Sequence, residues 1–95
     1  MSKTLVRAFS ASQSNVEVIG SDEATSVALT QIADIANAAV ETNDSTHLMD
    51  DFADILELMH AVMKNKNINP ELLFGNVAQL RQSEGTFDLN TVSKE

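Results

Sequence analysis

Apolar residues recur at three- and four-residue steps over three stretches of the chain, which is the spacing of amphipathic α-helices. The first stretch predicts a helix over residues 22–41. Ser21 is a favourable N-cap for this helix, and Asp22 and Glu23 lie in its first turn, where the helix dipole favours negative charge. Its apolar positions form a wide face, made of Val27, Ala28, Leu29, Ile32, Ala33, Ile35, Ala36, Ala39 and Val40.

The second stretch predicts a helix over residues 46–64, after a turn at 42–45 that offers several candidate caps. Lys64 and Lys66 favour the C-terminal end of this helix, because the dipole is negative there. Its main apolar stripe contains Leu48, Phe52, Ile55, Leu56, Met59, Val62 and Met63.

The third predicted helix covers residues 70–82. Asn69 and Pro70 suit its N-cap and first position, because proline is tolerated only in the first turn. Gly85 ends it, and residues 83–95 are predicted to form an irregular tail. Residues 1–20 read as an N-terminal segment with at most one short extended stretch, around 16–19.

These elements predict one all-α domain over residues 1–95, built from a long antiparallel helix pair and a shorter third helix. The second helix also has apolar side chains off its main stripe, at Met49, Leu58 and Ala61. A helix that is apolar on more than one side is buried on more than one side. We therefore expect a homodimer or higher homo-oligomer with a four-helix arrangement. The alternative is that the third helix and the N-terminal segment cover this surface.

The composition of the chain argues against several classes of function. With 6 basic and 14 acidic residues the net charge is -8, which argues against binding to DNA, RNA or an anionic membrane surface. The absence of cysteine excludes disulfides, thiolate metal sites and a cysteine nucleophile. No apolar run approaches the roughly 20 residues that span a bilayer, and the N-terminus lacks the apolar core of a signal peptide. We expect a cytoplasmic protein.

Two pairs of oxygen-bearing side chains lie three residues apart on the two long predicted helices. They are Gln31 with Asp34, and Asp51 with Asp54. Residues at this step share one helical face, and antiparallel pairing would bring both pairs to a similar level. Hard cations such as Mg²⁺ prefer oxygen ligands, so the four residues are candidate metal ligands. The alternative is a solvated acidic surface.

Four short motifs then occur in an order that resembles one protein family. They are L-V-R at residues 5–7, V-E-V-I at 16–19, D-F-A-D-I-L-E at 51–57 and G-T-F at 85–87, with a long helix between the second and third. The order is similar to that of the phosphoribosyl-ATP pyrophosphohydrolase-like branch of the MazG-like all-α nucleoside triphosphate pyrophosphohydrolases. The resemblance covers nearly the whole chain, and the segment at 51–57 is its most specific part.

The resemblance implies a MazG-like fold and a Mg²⁺-dependent hydrolysis of a nucleoside triphosphate to a monophosphate and pyrophosphate, with Mn²⁺ as a possible substitute ion. In the family, E-x-x-E and E-x-x-D pairs hold the metal. Carried over to this sequence, the metal ligands would be Gln31, Asp34, Asp51 and Asp54. A second register makes the first pair Asp34 and Asn37. No catalytic residue beyond the ligands follows from the resemblance.

Several positions depart from the family pattern. The first Glu of the first pair is Gln31, the Asp after L-V-R is Ala8, and the Arg of the closing motif is Glu84. The shorter Asp34 and Asp51 stand where the family has Glu. A Lys-rich run before the closing motif is also missing, so these departures predict weak or undetectable hydrolysis.

Few cations remain to bind a triphosphate, which requires positive hydrogen-bond donors. The candidate substrate-binding residues are Arg7 and Arg81, with Lys3 a more distant possibility. Two functions therefore stay open at this point. One is a pyrophosphohydrolase or a degenerate, low-activity member of that family. The other is a non-catalytic acidic helical interaction protein.

Overall fold

The computed structural model describes residues 3–8 and 16–94, and these residues contain three α-helices and no strand. Helix α1 spans Ser21–Thr42, α2 spans Ser45–Asn65 and α3 spans Pro70–Glu84. The prediction of an all-α chain is therefore confirmed for the described part, and each helix begins and ends within two residues of its predicted bounds. Residues 1–2, 9–15 and 95, which belong to the predicted N-terminal segment and tail, lie outside the described residues.

The turn between α1 and α2 is closed from both sides by local hydrogen bonds. Asn43 ends α1 in the left-handed conformation, and its N–H donates to the Ala39 carbonyl at 3.0 Å. Asp44 is the N-cap of α2, because its carboxylate accepts a hydrogen bond from the backbone N–H of His47 at 3.0 Å. That bond, and a second one from the His47 ring at 2.6 Å, lower the pKa of Asp44.

Helix α3 begins at the predicted residue and ends at Glu84, two residues beyond its predicted end and directly before Gly85. The side chain of Asn69 accepts a hydrogen bond from the backbone N–H of Glu71 at 2.9 Å, and Pro70 occupies the first helical position. Gly85 follows the last residue with φ 84°, a conformation that glycine adopts without strain. Its N–H donates to the carbonyl of Arg81, which satisfies one of the free carbonyls at the helix end.

The start of α1 differs from the prediction by one residue. Gly20, not Ser21, is the N-cap, and no side chain caps this end. The Gly20 carbonyl already accepts a hydrogen bond from Ala24, which makes Ser21 the first helical residue. The side chain of Asn65 on α2 donates a hydrogen bond to the Ser21 carbonyl at 2.8 Å.

Helices α1 and α2 form an antiparallel hairpin. The Asn65 amide near the end of α2 reaches both the Ser21 carbonyl and the Thr25 hydroxyl at the start of α1, each at 2.8 Å. Lys66 forms a second tie to α1, with its ammonium 3.7 Å from the carboxylate of Asp22. The last turn of α2 therefore lies beside the first turn of α1, as the predicted antiparallel pair requires.

The contact between α1 and α2 is the main tertiary contact among the described residues, since α3 makes few contacts with either helix. Two small residues of α1, Ala28 and Ala39, are buried in it, and Ala28 is only 1% exposed. No larger side chain in the described residues is fully buried. The hairpin therefore holds together through the close approach of two helices at alanines rather than through a thick core.

The apolar stripe predicted on α2 divides into two. Leu48, Ile55 and Val62 are half-buried on the side that faces α1. Phe52 and Leu56, which the sequence placed on the same stripe, are exposed. They form a second stripe, the outer stripe of α2, defined as Met49, Phe52, Leu56 and Met59.

Helix α1 has a corresponding exposed row at helical spacing, the outer stripe of α1. Its members are Leu29, Ala33, Ala36 and Val40. The off-stripe residues Leu58 and Ala61 of α2, which suggested a second apolar side, do not belong to either outer stripe. They lie on the opposite side of the hairpin, beside the N-terminal segment.

The chain exposes far more surface than a folded monomer of its mass. Its accessible surface is 8338 Å², whereas the usual scaling for 10.3 kDa gives about 5,400 Å². Its radius of gyration is 16.2 Å, against about 12 Å for a compact domain of this length. The whole chain therefore exposes roughly 3,000 Å² more surface than a compact monomer of its mass.

Both long helices carry acidic residues among their apolar positions. Among the described residues, no helix combines the length and the hydropathy that crossing a bilayer requires.

We expect the substitution Ala28→Leu to lower the free energy of unfolding by about 1–3 kcal/mol, because the larger side chain has no room between the two helices. Ala53→Leu is the matched control, since Ala53 is exposed on α2. Denaturant unfolding at one protein concentration measures both. Equal stability of the two variants would contradict the close contact at Ala28.

Candidate functional site

The N-terminal strap, defined as residues 3–8, lies along one side of the α1–α2 hairpin. At its start, the Lys3 ammonium donates a hydrogen bond to the Glu23 carboxylate at 2.7 Å and lies 3.8 Å from Glu17. The hydrogen bond to Glu23 raises the pKa of Lys3, and the charges of Glu17 and Glu23 raise it further. This end of the strap is therefore held by charge at an exposed position.

The middle of the strap is held by the side chain of Gln31. The Leu5 N–H donates to Oε1 of Gln31 at 2.8 Å, and Nε2 of Gln31 donates to the Leu5 carbonyl at 3.3 Å. The amide thus binds one residue of extended chain as a neighbouring strand would. Gln31 is half-buried beneath the strap, so these bonds are partly protected from water.

The far end of the strap reaches α2. The guanidinium of Arg7 forms an ion pair and hydrogen bond with the carboxylate of Asp54. An ion pair that remains accessible to solvent contributes little by itself, typically less than about 1 kcal/mol. Because Leu5 is fixed two residues earlier, Arg7 is already near its partner, and the strap bridges α1 to α2.

A groove of about 660 Å³ lies beside the strap. The strap supplies one wall through residues 5–8, and Gln31 contributes from α1. Four residues of α2 complete the lining: Asp54, Glu57, Leu58 and Ala61. The groove combines two carboxylates, one guanidinium and one amide with apolar walls, and it is the candidate site of this molecule.

The four predicted metal ligands are only partly brought together. Gln31 and Asp54 line the groove, whereas Asp34 and Asp51, both within the described residues, are not among its lining residues. Asp51 is half-buried and Asp34 is exposed. Within residues 3–8 and 16–94, no three acidic or histidine side chains converge closely enough to hold a metal ion.

The residues that do meet at the groove do not fit a magnesium ion in this arrangement. Oxygen Oε1 of Gln31 accepts a hydrogen bond from Leu5, and the charge of Asp54 is balanced by Arg7. A cation at Asp54 would share the carboxylate with the guanidinium, and the repulsion between the two positive charges would weaken its binding. The strap therefore competes with a metal at these two positions.

The second register for the first pair is not favoured by the geometry. Ala39 is buried, so that part of α1 faces α2. Asn37 lies two residues earlier, which is about 200° around the helix, and it is exposed. Its side chain therefore leaves the hairpin away from Asp51 and Asp54.

The two predicted substrate-binding arginines lie apart. Arg7 is at the groove, but its guanidinium binds Asp54. Arg81 is in the last turn of α3, the helix that makes few contacts with the hairpin, and it is not among the lining residues that the structure describes for the groove. The groove thus has one arginine, and that arginine is already paired.

The sequence did not indicate three features of the groove. Gln31 binds backbone atoms of Leu5, and a bond to the backbone does not depend on residue type, so no sequence motif indicates it. Leu58 and Ala61 looked like surplus apolar positions on α2 rather than a wall beneath the strap. One feature of the sequence is consistent with the pairing of Arg7 and Asp54: Arg7 is one of few basic residues in an acidic chain.

Comparison with known proteins gives no family for the chain: no family model, no curated protein and no solved structure matches it. The resemblance to the MazG-like pyrophosphohydrolases therefore rests on the residues themselves and stays a hypothesis.

The bond pattern at Leu5 predicts a graded response to two substitutions of Gln31. Gln31→Glu keeps the acceptor for the Leu5 N–H and loses the donor to its carbonyl, whereas Gln31→Leu loses both. We expect amide hydrogen exchange at Leu5 to rise about fivefold for each lost bond, at about 1 kcal/mol per bond. The helical amide of Ile32 is the internal control. Identical Leu5 exchange in wild type and both variants would contradict the strap contact.

Proposed function

We propose that the chain is a degenerate, low-activity member of the MazG-like nucleoside triphosphate pyrophosphohydrolases. The motif order along the chain supports the family, and the all-α architecture with an antiparallel hairpin is compatible with it. The double hydrogen bond between Gln31 and Leu5 is the observation that supports a loss of activity. An amide at this position binds the strap through a donor and an acceptor, which a carboxylate does not provide.

The electrostatics of the groove support low activity in the same way. Catalysis of phosphoryl chemistry requires concentrated positive charge at the developing negative charge. Here the groove contains the carboxylates of Asp54 and Glu57 and a single guanidinium, which Asp54 already neutralises. Without a bound cation, a triphosphate in the groove would meet more negative than positive charge. The proposed substrate class is a nucleoside triphosphate, with monophosphate and pyrophosphate as products.

We also propose that the chain is a homodimer or a higher homo-oligomer in which two hairpins make a four-helix arrangement. The support is the surplus of exposed surface and the two outer stripes. The six large apolar side chains of the two stripes, Leu29, Val40, Met49, Phe52, Leu56 and Met59, are 38–71% exposed and offer apolar surface for such a contact.

A second function, that of a non-catalytic acidic interaction protein, is favoured by one observation. Several large apolar side chains on α3 and in the tail are exposed, among them Phe74, Leu80, Phe87 and Leu89. A 15-residue helix is marginal alone in water, so α3 gains from a partner surface. In this reading the acidic groove has no chemical role.

A Mg²⁺ titration of the melting temperature separates the two functions. For the degenerate enzyme we expect little effect of Mg²⁺ on wild type and a clear rise for Gln31→Glu, which restores a carboxylate and weakens the strap. At ten times Kd the stabilisation is about 1.4 kcal/mol. On a domain of this size each kcal/mol raises the melting temperature by about 4–8 °C.

Three controls make this titration decisive. Gln31→Leu weakens the strap without adding a carboxylate and should show no rise, and Gln31→Glu combined with Asp54→Ala should lose the rise. The same samples report pyrophosphate release from nucleoside triphosphates, which we expect to be weak or undetectable in wild type. Rapid wild-type hydrolysis at submillimolar Mg²⁺ would contradict degeneracy. A Gln31→Glu variant that does not respond to Mg²⁺ would favour the interaction protein.

A further inference from the structure

The two outer stripes emerge on the same side of the hairpin. Each stripe is displaced by about one residue, or 100°, from the row through which its helix contacts the other. Helices α1 and α2 are antiparallel. A step of 100° forward along each sequence, from the contact row to the outer stripe, therefore points to the same side of the hairpin. The strap occupies the other side, since Gln31 and Asp54 precede the contact rows rather than follow them. The hairpin thus has one covered side and one exposed apolar side.

The large and small residues of this exposed side are arranged in a regular way. Asn65 contacts Ser21 and Thr25, so each turn up α1 corresponds to one turn down α2. Counting turns from that contact places Ala33 level with Leu56, and Ala36 level with Phe52. Each central level therefore combines a small residue of α1 with a large residue of α2.

We propose that a second copy of this chain covers this side, with α2 of each copy packed against α1 of the other. A two-fold axis parallel to the helices brings Phe52 of one copy opposite Ala36 of its partner, and Leu56 opposite Ala33. Large side chains then fill the space above small ones at every central level, as close packing requires. A perpendicular axis would set large against large and small against small. The inference rests on the proposed homodimer and adds its face and its pairing.

The area and the spacing both fit this occupant. The six large apolar side chains of the face, Leu29, Val40, Met49, Phe52, Leu56 and Met59, are 38–71% exposed. Together with Ala33 and Ala36 they offer several hundred Å² per copy, on the scale of the roughly 800 Å² that each partner of a standard interface covers. Along α2 the stripe repeats at steps of three, four and three residues from Met49 to Met59, which is the spacing of a two-stranded helical seam. Self-complementary sizes on one face favour a copy of the same chain over an unrelated partner.

The test compares two leucines that are exposed to a similar degree. Leu56 on the proposed face is 63% exposed and Leu72 on α3 is 69% exposed. Light scattering after size exclusion at micromolar concentration should give twice 10.3 kDa for wild type and Leu72→Glu, and 10.3 kDa for Leu56→Glu. A wild-type monomer would overturn the dimer itself. If wild type is a dimer and the Leu56→Glu variant is a dimer as well, the proposed face is overturned but the dimer is not.

Cysteine cross-linking tests the pairing and does not depend on a disruptive charge. The chain has no cysteine, so each introduced one is unique. On oxidation, a mixture of Ala36→Cys and Phe52→Cys chains should give a disulfide-linked dimer in higher yield than either chain alone. A mixture of Ala36→Cys and Leu72→Cys is the control. Equal yields in the two mixtures would overturn the pairing.

Discussion

The contact between α1 and α2 is the interaction on which the other features of the molecule depend. Its buried residues are Ala28 and Ala39 of α1, and the apolar side chains of α2 that face them are only half-buried, so the contact encloses little apolar surface. A hairpin of this kind has two open sides. One side is covered by the strap, through bonds from Lys3, Leu5 and Arg7, and the other remains apolar and exposed. The candidate site and the proposed interface are thus opposite faces of one element.

The amide of Gln31 suits the strap better than it suits a metal ion. At position 31 an amide matches both backbone groups of Leu5, whereas a carboxylate would match one and repel the other. At position 54 a carboxylate serves either a cation or a guanidinium, and here it binds Arg7. Metal binding and strap binding therefore compete for the same atoms. Gln31, Asp54 and the strap therefore form one unit of the groove.

Local signals in the sequence predicted the helices well. Asn69 with Pro70, Gly85 and the turn before Asp44 each define a helix end through their own backbone chemistry, and the observed ends agree closely. Ser21 was wrong as a cap because its neighbour Gly20, also an acceptable N-cap residue, accepts the first helical hydrogen bond, from Ala24. The division of the α2 stripe was also missed. Periodicity identifies Phe52 and Ile55 as apolar but does not say which neighbour each one faces, and only the helix pairing separates them.

We propose that the exposed side of the hairpin belongs to a self-association that stabilises the fold. The melting temperature of wild type as a function of protein concentration tests it most directly, because association of the folded state makes this temperature depend on concentration. The account predicts a steady rise of the melting temperature over a roughly hundredfold range of concentration. A melting temperature that stays constant over that range, together with a monomer mass, would contradict it.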